Sequence, residues 1–315
     1  MGRVVVILFI FSSSLLVAFD SFSQSFPALL TAIRNNDVPG VNSLLKDGAS
    51  ISITDDDGDN VLMYAALYST VDCMKQLLQK GADPDAKNKL DETAIMWCSH
   101  DIEKTKILLQ YHAGLSTKTT DGNTPFLVAC IGNAQNKMIK LLLQHGADPL
   151  QVNNKGVTSL MRVAIYGDTA TARLLLSKSV DINAKSNNSE TALLFAIKSG
   201  NKEMVYWLLA NGIDANTKDN FKATPLSYAV ILSDIDMAKA LLERTSGINE
   251  QDIDGMTILM WAIYSEYDNP AIVQALLDKG ALLHLKDKEG NTALSWAIKK
   301  GNTATVALLK KAGAK

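Results

Sequence analysis

One period governs this chain. Laid against itself, the sequence brings eight segments into register: Asn60-Val-Leu-Met-Tyr-Ala-Ala, Thr93-Ala-Ile-Met-Trp-Cys, Thr124-Pro-Phe-Leu-Val-Ala-Cys, Thr158-Ser-Leu-Met-Arg-Val-Ala, Thr191-Ala-Leu-Leu-Phe-Ala-Ile, Thr224-Pro-Leu-Ser-Tyr-Ala-Val, Thr257-Ile-Leu-Met-Trp-Ala-Ile and Thr292-Ala-Leu-Ser-Trp-Ala-Ile. Their first residues are separated by 33, 31, 34, 33, 33, 33 and 35 positions. A leucine-rich run follows, as in Leu77-Leu78, Leu141-Leu142-Leu143 and Leu208-Leu209, and then Gly-Ala-Asp or a relative, as in Gly81-Ala82-Asp83. A fixed period of this length specifies an array in which each unit packs only on its neighbours, so the core grows with chain length.

The local chemistry of one unit is readable. Asp-x-x-Gly before the segment (Asp252 to Gly255, Asp287 to Gly290) is turn chemistry, with glycine free to take positive φ. Threonine then suits a helix N-cap, and Pro125 and Pro225 fall at the first helical position, where no N–H is needed. The first helix is short and alanine-bearing. The second carries aliphatic residues at i, i+3 and i+4, one apolar stripe, and glycine stops it. A single hairpin cannot bury that stripe, whereas stacked neighbours can.

These residues resemble the ankyrin repeat over about residues 26–315. The resemblance implies an all-α fold: an ankyrin-repeat solenoid of stacked helix-turn-helix units with β-turn fingertips, about nine repeats. The expected organisation is a leader over 1–23 and a repeat domain over 24–315, with repeats at about 26–53, 54–86, 87–117, 118–150, 151–184, 185–217, 218–250, 251–284 and 285–315. The first is a degenerate cap without the turn signature. The family's histidine after Thr-Pro-Leu is absent: Met63, Met96, Met161 and Met260 stand there in four repeats, and Ser227 and Ser295 in two others. Its loss predicts apolar packing in place of a polar loop network. The repeat near Lys87 is two residues short around Ser99–Ile102, and the repeat near Thr257 has two extra around Tyr264–Asn269, which predicts local changes of helix length there.

The N-terminus reads as a secretory signal. Arg3 precedes an apolar stretch, Val4–Phe19, and Ser21-Phe22-Ser23 places small residues before Gln24. Sixteen residues interrupted by serines fall short of the roughly 20 that a spanning helix needs, so cleavage after Ser23 is preferred to a retained anchor. The expected location is periplasmic or secreted. Cys73, Cys98 and Cys130 are odd in number and sit at core positions, which favours buried thiols over a disulfide framework.

Little points to catalysis. A formal net charge of −2 gives no general attraction to nucleic acid. His100, His112, His145 and His284 are scattered, without metal-ligand spacing. Asp55-Asp56-Asp57-Gly58-Asp59 resembles a calcium loop, but its twelfth position is Ala66 in place of a bidentate glutamate. Trp97, Trp207, Trp261 and Trp296 read as packing residues inside helices. No cofactor, metal or catalytic residue is expected.

The resemblance implies a curved array with a concave binding face made by the turns and the outer ends of the first helices. Counting the segment's first residue as zero, those slots are −4, −3, −1, +7 and +8. They hold Leu67, Tyr68, Ile131, Ile165, Tyr166, Phe221, Ile231, Leu232, Met256 and Tyr264, which is unusually apolar for slots expected to be at least half exposed. The alternative for +7 is packing between adjacent repeats. The expected function is an exported, non-enzymatic scaffold that binds a protein or peptide, monomeric and without a membrane span once cleaved. The alternative is a secreted effector or toxin-like protein that recognises a host or competitor protein.

Overall fold

The computed structural model describes residues 26–132, 135–265 and 268–315. The expected leader lies outside them. Contacts divide the chain into two compact units, one running to Thr120 and including Gln144–Ala147, the other comprising Asp121–Leu143 and Asp148–Lys315.

The first unit contains α1 (26–34), α2 (Val38–Lys46), α3 (Val61–Tyr68), α4 (Val71–Gln79), α5 (Ala94–Trp97) and α6 (Ile102–Gln110). The second contains α7 (Pro125–Ala129), most of α8 (Asn136–Gln144), α9 (Ser159–Tyr166), α10 (Thr169–Leu176), α11 (Ala192–Lys198) and α12 (Lys202–Ala210). It continues with α13 (Pro225–Ile231), α14 (Ile235–Leu242), α15 (Ile258–Tyr264), α16 (Pro270–Asp278), α17 (Ala293–Lys300) and α18 (Thr303–Lys311). The described residues hold no strand, only the isolated bridges Thr54–Asn60 and Gln251–Thr257.

Within each unit a helix touches its own hairpin partner and the equivalent helix of the next hairpin, as α13 touches α14 and α15. The leucine stripes fill the space between them. Leu77, Leu108, Leu175, Leu208, Leu241 and Leu276 are all buried. The three cysteines are free and buried, at 0%, 3% and 0% exposure, so they act as small apolar residues.

Threonine starts the first helices as its chemistry predicts. Thr124, Thr158, Thr224, Thr257 and Thr292 each accept an N–H from the third helical residue. The methionine and serine at that third residue answer in return. Met161 and Met260 sulfurs accept the Thr158 and Thr257 N–H groups at 3.4 Å, and Ser227 and Ser295 hydroxyls accept those of Thr224 and Thr292. The expectation that losing histidine leaves only apolar packing is therefore corrected: sulfur or hydroxyl closes a capping box locally.

The turns form a ladder of their own. The residue at −5 accepts two backbone N–H groups with one side-chain oxygen, as Asp252 does from Asp254 and Met256 and Asp287 from Glu289 and Asn291. Successive turns then join through backbone hydrogen bonds, Asn220 to Asn188, Ile253 to Phe221 and Lys288 to Asp254. The close approach requires glycine at the turn: Gly255 has φ +77°, and a Cβ there would meet the Lys288 nitrogen at 3.0 Å. The short repeat loses its missing residues from its first helix, since α5 has only 4 residues. The two extra residues of the Thr257 repeat fall after α15, which ends at Tyr264 as usual.

Candidate functional site

The turns and first helices present one slot that the repeat fills systematically, at +4. It holds Tyr64, Trp97, Val128, Arg162, Phe195, Tyr228, Trp261 and Trp296, and all are half-buried. This position lies one helical turn from the N-cap, so its side chain lies over the preceding β-turn. Where the side chain has a polar tip, the turn supplies the partner. The Tyr64 and Tyr228 hydroxyls donate to Asp55 and Asp219 at 2.6 Å, and the Trp261 and Trp296 indoles donate to Asp252 at 2.6 Å and Asp287 at 2.7 Å. Each carboxylate stands nine residues before its aromatic and already holds its own turn through the other oxygen. Trp97 follows a different rule and donates to Glu92. Arg162 donates to the Leu127 carbonyl at 3.0 Å and to Asn123.

These bonds set the charge of the face. Burial alone would raise the Asp287 carboxyl, but N–H donors from Asn291, Trp296 and Glu289 outweigh it and hold the group below the usual 3.8. Asp55 is held low in the same way by Tyr64 and three turn amides, while Tyr64 is pushed up to about 12, chiefly by donating to Asp55. The acidic run at Asp55 is thus a turn that anchors an aromatic.

Two aromatic clusters result. In the first unit, Tyr64 meets Phe26 and Trp97 edge-on at 6.0 and 5.8 Å and stacks on Tyr68 at 6.2 Å, under the Arg34 guanidinium. In the second, Tyr264 stands edge-to-face with Trp261 at 5.6 Å and Trp296 at 5.1 Å. Trp261, Tyr264 and Trp296 wall a cavity of about 250 Å³, floored by Met256 and rimmed by Asp254, Asp287, Lys288 and Glu289.

A family model described as ankyrin repeats in three copies matches residues 29–121, 98–186, 160–252 and 245–315. This chain belongs to the ankyrin-repeat family. It is 31% identical over 154 residues to SH3 and multiple ankyrin repeat domains protein 2 of Homo sapiens, which covers 47% of this chain and 8% of that one. An ankyrin repeat-containing protein of Treponema pallidum (strain Nichols) is 28% identical over 49% of this chain and 51% of its own length. Ankyrin repeat protein YahD of Escherichia coli (strain K12) is 27% identical over 46% of this chain and 74% of its own. The match thus spans about half or less of the first two relatives. Ankyrin repeats generally mediate protein–protein interaction, and ankyrin-repeat proteins are typically non-catalytic scaffolds.

The ankyrin slots predicted to bind divide by exposure. Phe221 and Leu232 are at least half exposed, and Leu67 and Tyr68 nearly so. Ile131, Ile165, Ile231 and Tyr264 at +7 and Tyr166 at +8 are exposed by little more than a third, less than expected, and Tyr264 packs edge-on against Trp296 of the next repeat. The expected exposure of Met256 is corrected: it is only 7% exposed, although it still lines the cavity beside Trp261. The first unit holds Leu67 and Tyr68, and the second holds the others. Reading Trp97, Trp261 and Trp296 as packing residues missed their bonded indole N–H groups, whereas Trp207 is a packing residue whose buried indole N–H has no hydrogen-bond partner. The available signal was the acid nine residues upstream, present at Asp55, Asp219, Asp252 and Asp287. The described residues hold no cluster of three or more His, Cys, Asp or Glu able to bind a metal ion, and none of their helices is long and apolar enough to cross a membrane.

Proposed function

We propose that this chain is an exported, non-catalytic scaffold that holds a protein or peptide on the concave ankyrin face built by its turns and first helices. The observation that carries this reading is the +4 row of half-buried rings. The tips of Tyr228, Trp261 and Trp296 are tied to turn carboxylates, and these half-buried rings stand on the same turns and first helices as the exposed Phe221 and Leu232. Rigid aromatics presented with little entropy left to lose are the side chains that anchor protein partners. The leader-like N-terminus supports export, to the periplasm or beyond the cell.

Photo-crosslinking residues placed at Phe221 or Leu232 in the native compartment should give discrete protein adducts. The same probe at Tyr206, exposed on second helix α12, should not. Equal labelling from both faces, or none from the first, rejects the binding face. N-terminal sequencing of the native chain tests export separately. Gln24 as first residue supports it, and retained Met1 overturns it.

A further inference from the structure

The cavity between Trp261 and Trp296 combines two features that together specify a ligand chemistry. Its walls are three aromatic rings, whose faces carry the negative end of the ring quadrupole. Its rim carries three carboxylates, Asp254, Asp287 and Glu289, against one ammonium, Lys288. Asp287 is committed to the Trp296 indole and its own turn, so it contributes field, while Asp254 and Glu289 are exposed, Glu289 with one oxygen accepting the Asn291 amide and the other left to a ligand. A neutral apolar group would gain from the rings alone, whereas a cation gains from the rings and the rim.

The same face already shows this arrangement filled from within. Lys198, at +7 of its repeat, sets its ammonium 4.3 Å from the Tyr228 ring centroid, the +4 aromatic of the next repeat, while bonded to Glu190. The next two repeats lack that lysine. The +7 residue before Trp261 is Ile231, and the one before Trp296 is Tyr264. Lys299 and Lys300 of α17 approach the Trp296 and Tyr264 rings at 5.0 and 4.2 Å, but neither lines the cavity.

We propose that this cavity is a subsite for a lysine or arginine side chain of the protein partner, its alkyl stem against Met256 and the rings and its charged head between Asp254 and Glu289. The subsite rests on the scaffold reading and names what one part of that face selects.

The test uses the full chain and two capped pentapeptides, Gly-Gly-Lys-Gly-Gly and its norleucine counterpart, followed through the Trp261 and Trp296 indole N–H resonances. The lysine peptide should shift both signals with weak, saturable affinity, about fivefold or more tighter than norleucine. The double variant D254N/E289Q should remove that preference and leave the unfolding midpoint unchanged, since both carboxylates are exposed. Equal binding of the two peptides overturns the proposal, as does a lysine response unaffected by the double variant or the absence of any shift. Crosslinked adducts at Phe221 or Leu232 without indole shifts sink the subsite and leave the scaffold standing. Loss of those adducts with the lysine preference intact does the reverse.

Discussion

Asp287 shows how much one residue can carry in a repeat. One oxygen holds the turn amides of Glu289 and Asn291, and the other holds the Trp296 indole. Replacing it with asparagine keeps one acceptor but turns an N–H donor towards the indole donor. D287N should therefore cost about 1–3 kcal/mol in denaturant melts. Because the native carboxyl is held below 3.8, its contribution is complete above that value and is lost as pH falls through the lowered one. Wild-type stability should accordingly fall more steeply in strong acid than that of D287N. Parallel slopes would show that the carboxylate is not the acid-sensitive group. The pairing was legible in principle, since acid and ring recur nine residues apart. It escapes a reading based on hydrophobicity because tryptophan at a helical core spacing looks like packing until its polar edge is given a partner. The cysteines were legible because a small apolar residue is what the repeat needs there. Burial pushes Cys98 up to about 11 and Cys130 to about 12. Both should resist a thiol reagent at mildly alkaline pH in the native chain and react at once in denaturant.

Helix starts look equivalent in sequence and are not equivalent in structure. Thr158 and Thr257 close their boxes with a methionine sulfur, but Thr93 and Thr191 make no side-chain cap, and their buried hydroxyls have no hydrogen-bond partner. A buried hydroxyl without a partner carries a desolvation penalty, and the extended backbone of an N-cap suits a β-branched side chain. Opposite outcomes follow for one substitution. Thr257→Val should destabilise by about 1 kcal/mol through loss of the cap, whereas Thr191→Val should be neutral or stabilising by about 1 kcal/mol. Thermal melts of the two variants decide it, and a loss at both sites would mean that Thr191 caps its helix in solution. The elements themselves are written plainly: capping threonine, proline at the first position and glycine stops mark where the helices begin and end. What the sequence could not reveal is which caps close: Thr124 caps its helix above a hydrocarbon third residue, Leu127, whereas Thr93 does not above Met96, so closure follows a threonine rotamer that pattern does not report.

At the scale of the whole chain, the period predicts the kind of cooperativity. The boundary after Thr120 falls within the one short step of the period, the 31 residues from Thr93 to Thr124. What the pattern does fix is that helices touch only adjacent hairpins. Leu241 is fully buried on α14, and α14 touches α12, α13 and α16. Leu241→Ala should cost about 2–5 kcal/mol by emptying part of that layer. In a chain whose stability is a sum of unit and nearest-neighbour terms, the damage stays near its source. Hydrogen exchange should therefore show amides of α12 to α16 losing protection in this variant while those of α9 keep theirs. Uniform loss through the second unit would mean that it opens in one step, with a neighbour coupling stronger than any single repeat. The result also bears on binding, since the Trp261–Trp296 cavity is built by two adjacent hairpins and needs only their shared layer intact. A variant that loosens α9 and α10 should leave that cavity formed, whereas Leu241→Ala, one hairpin away, should blunt its indole response to the lysine peptide.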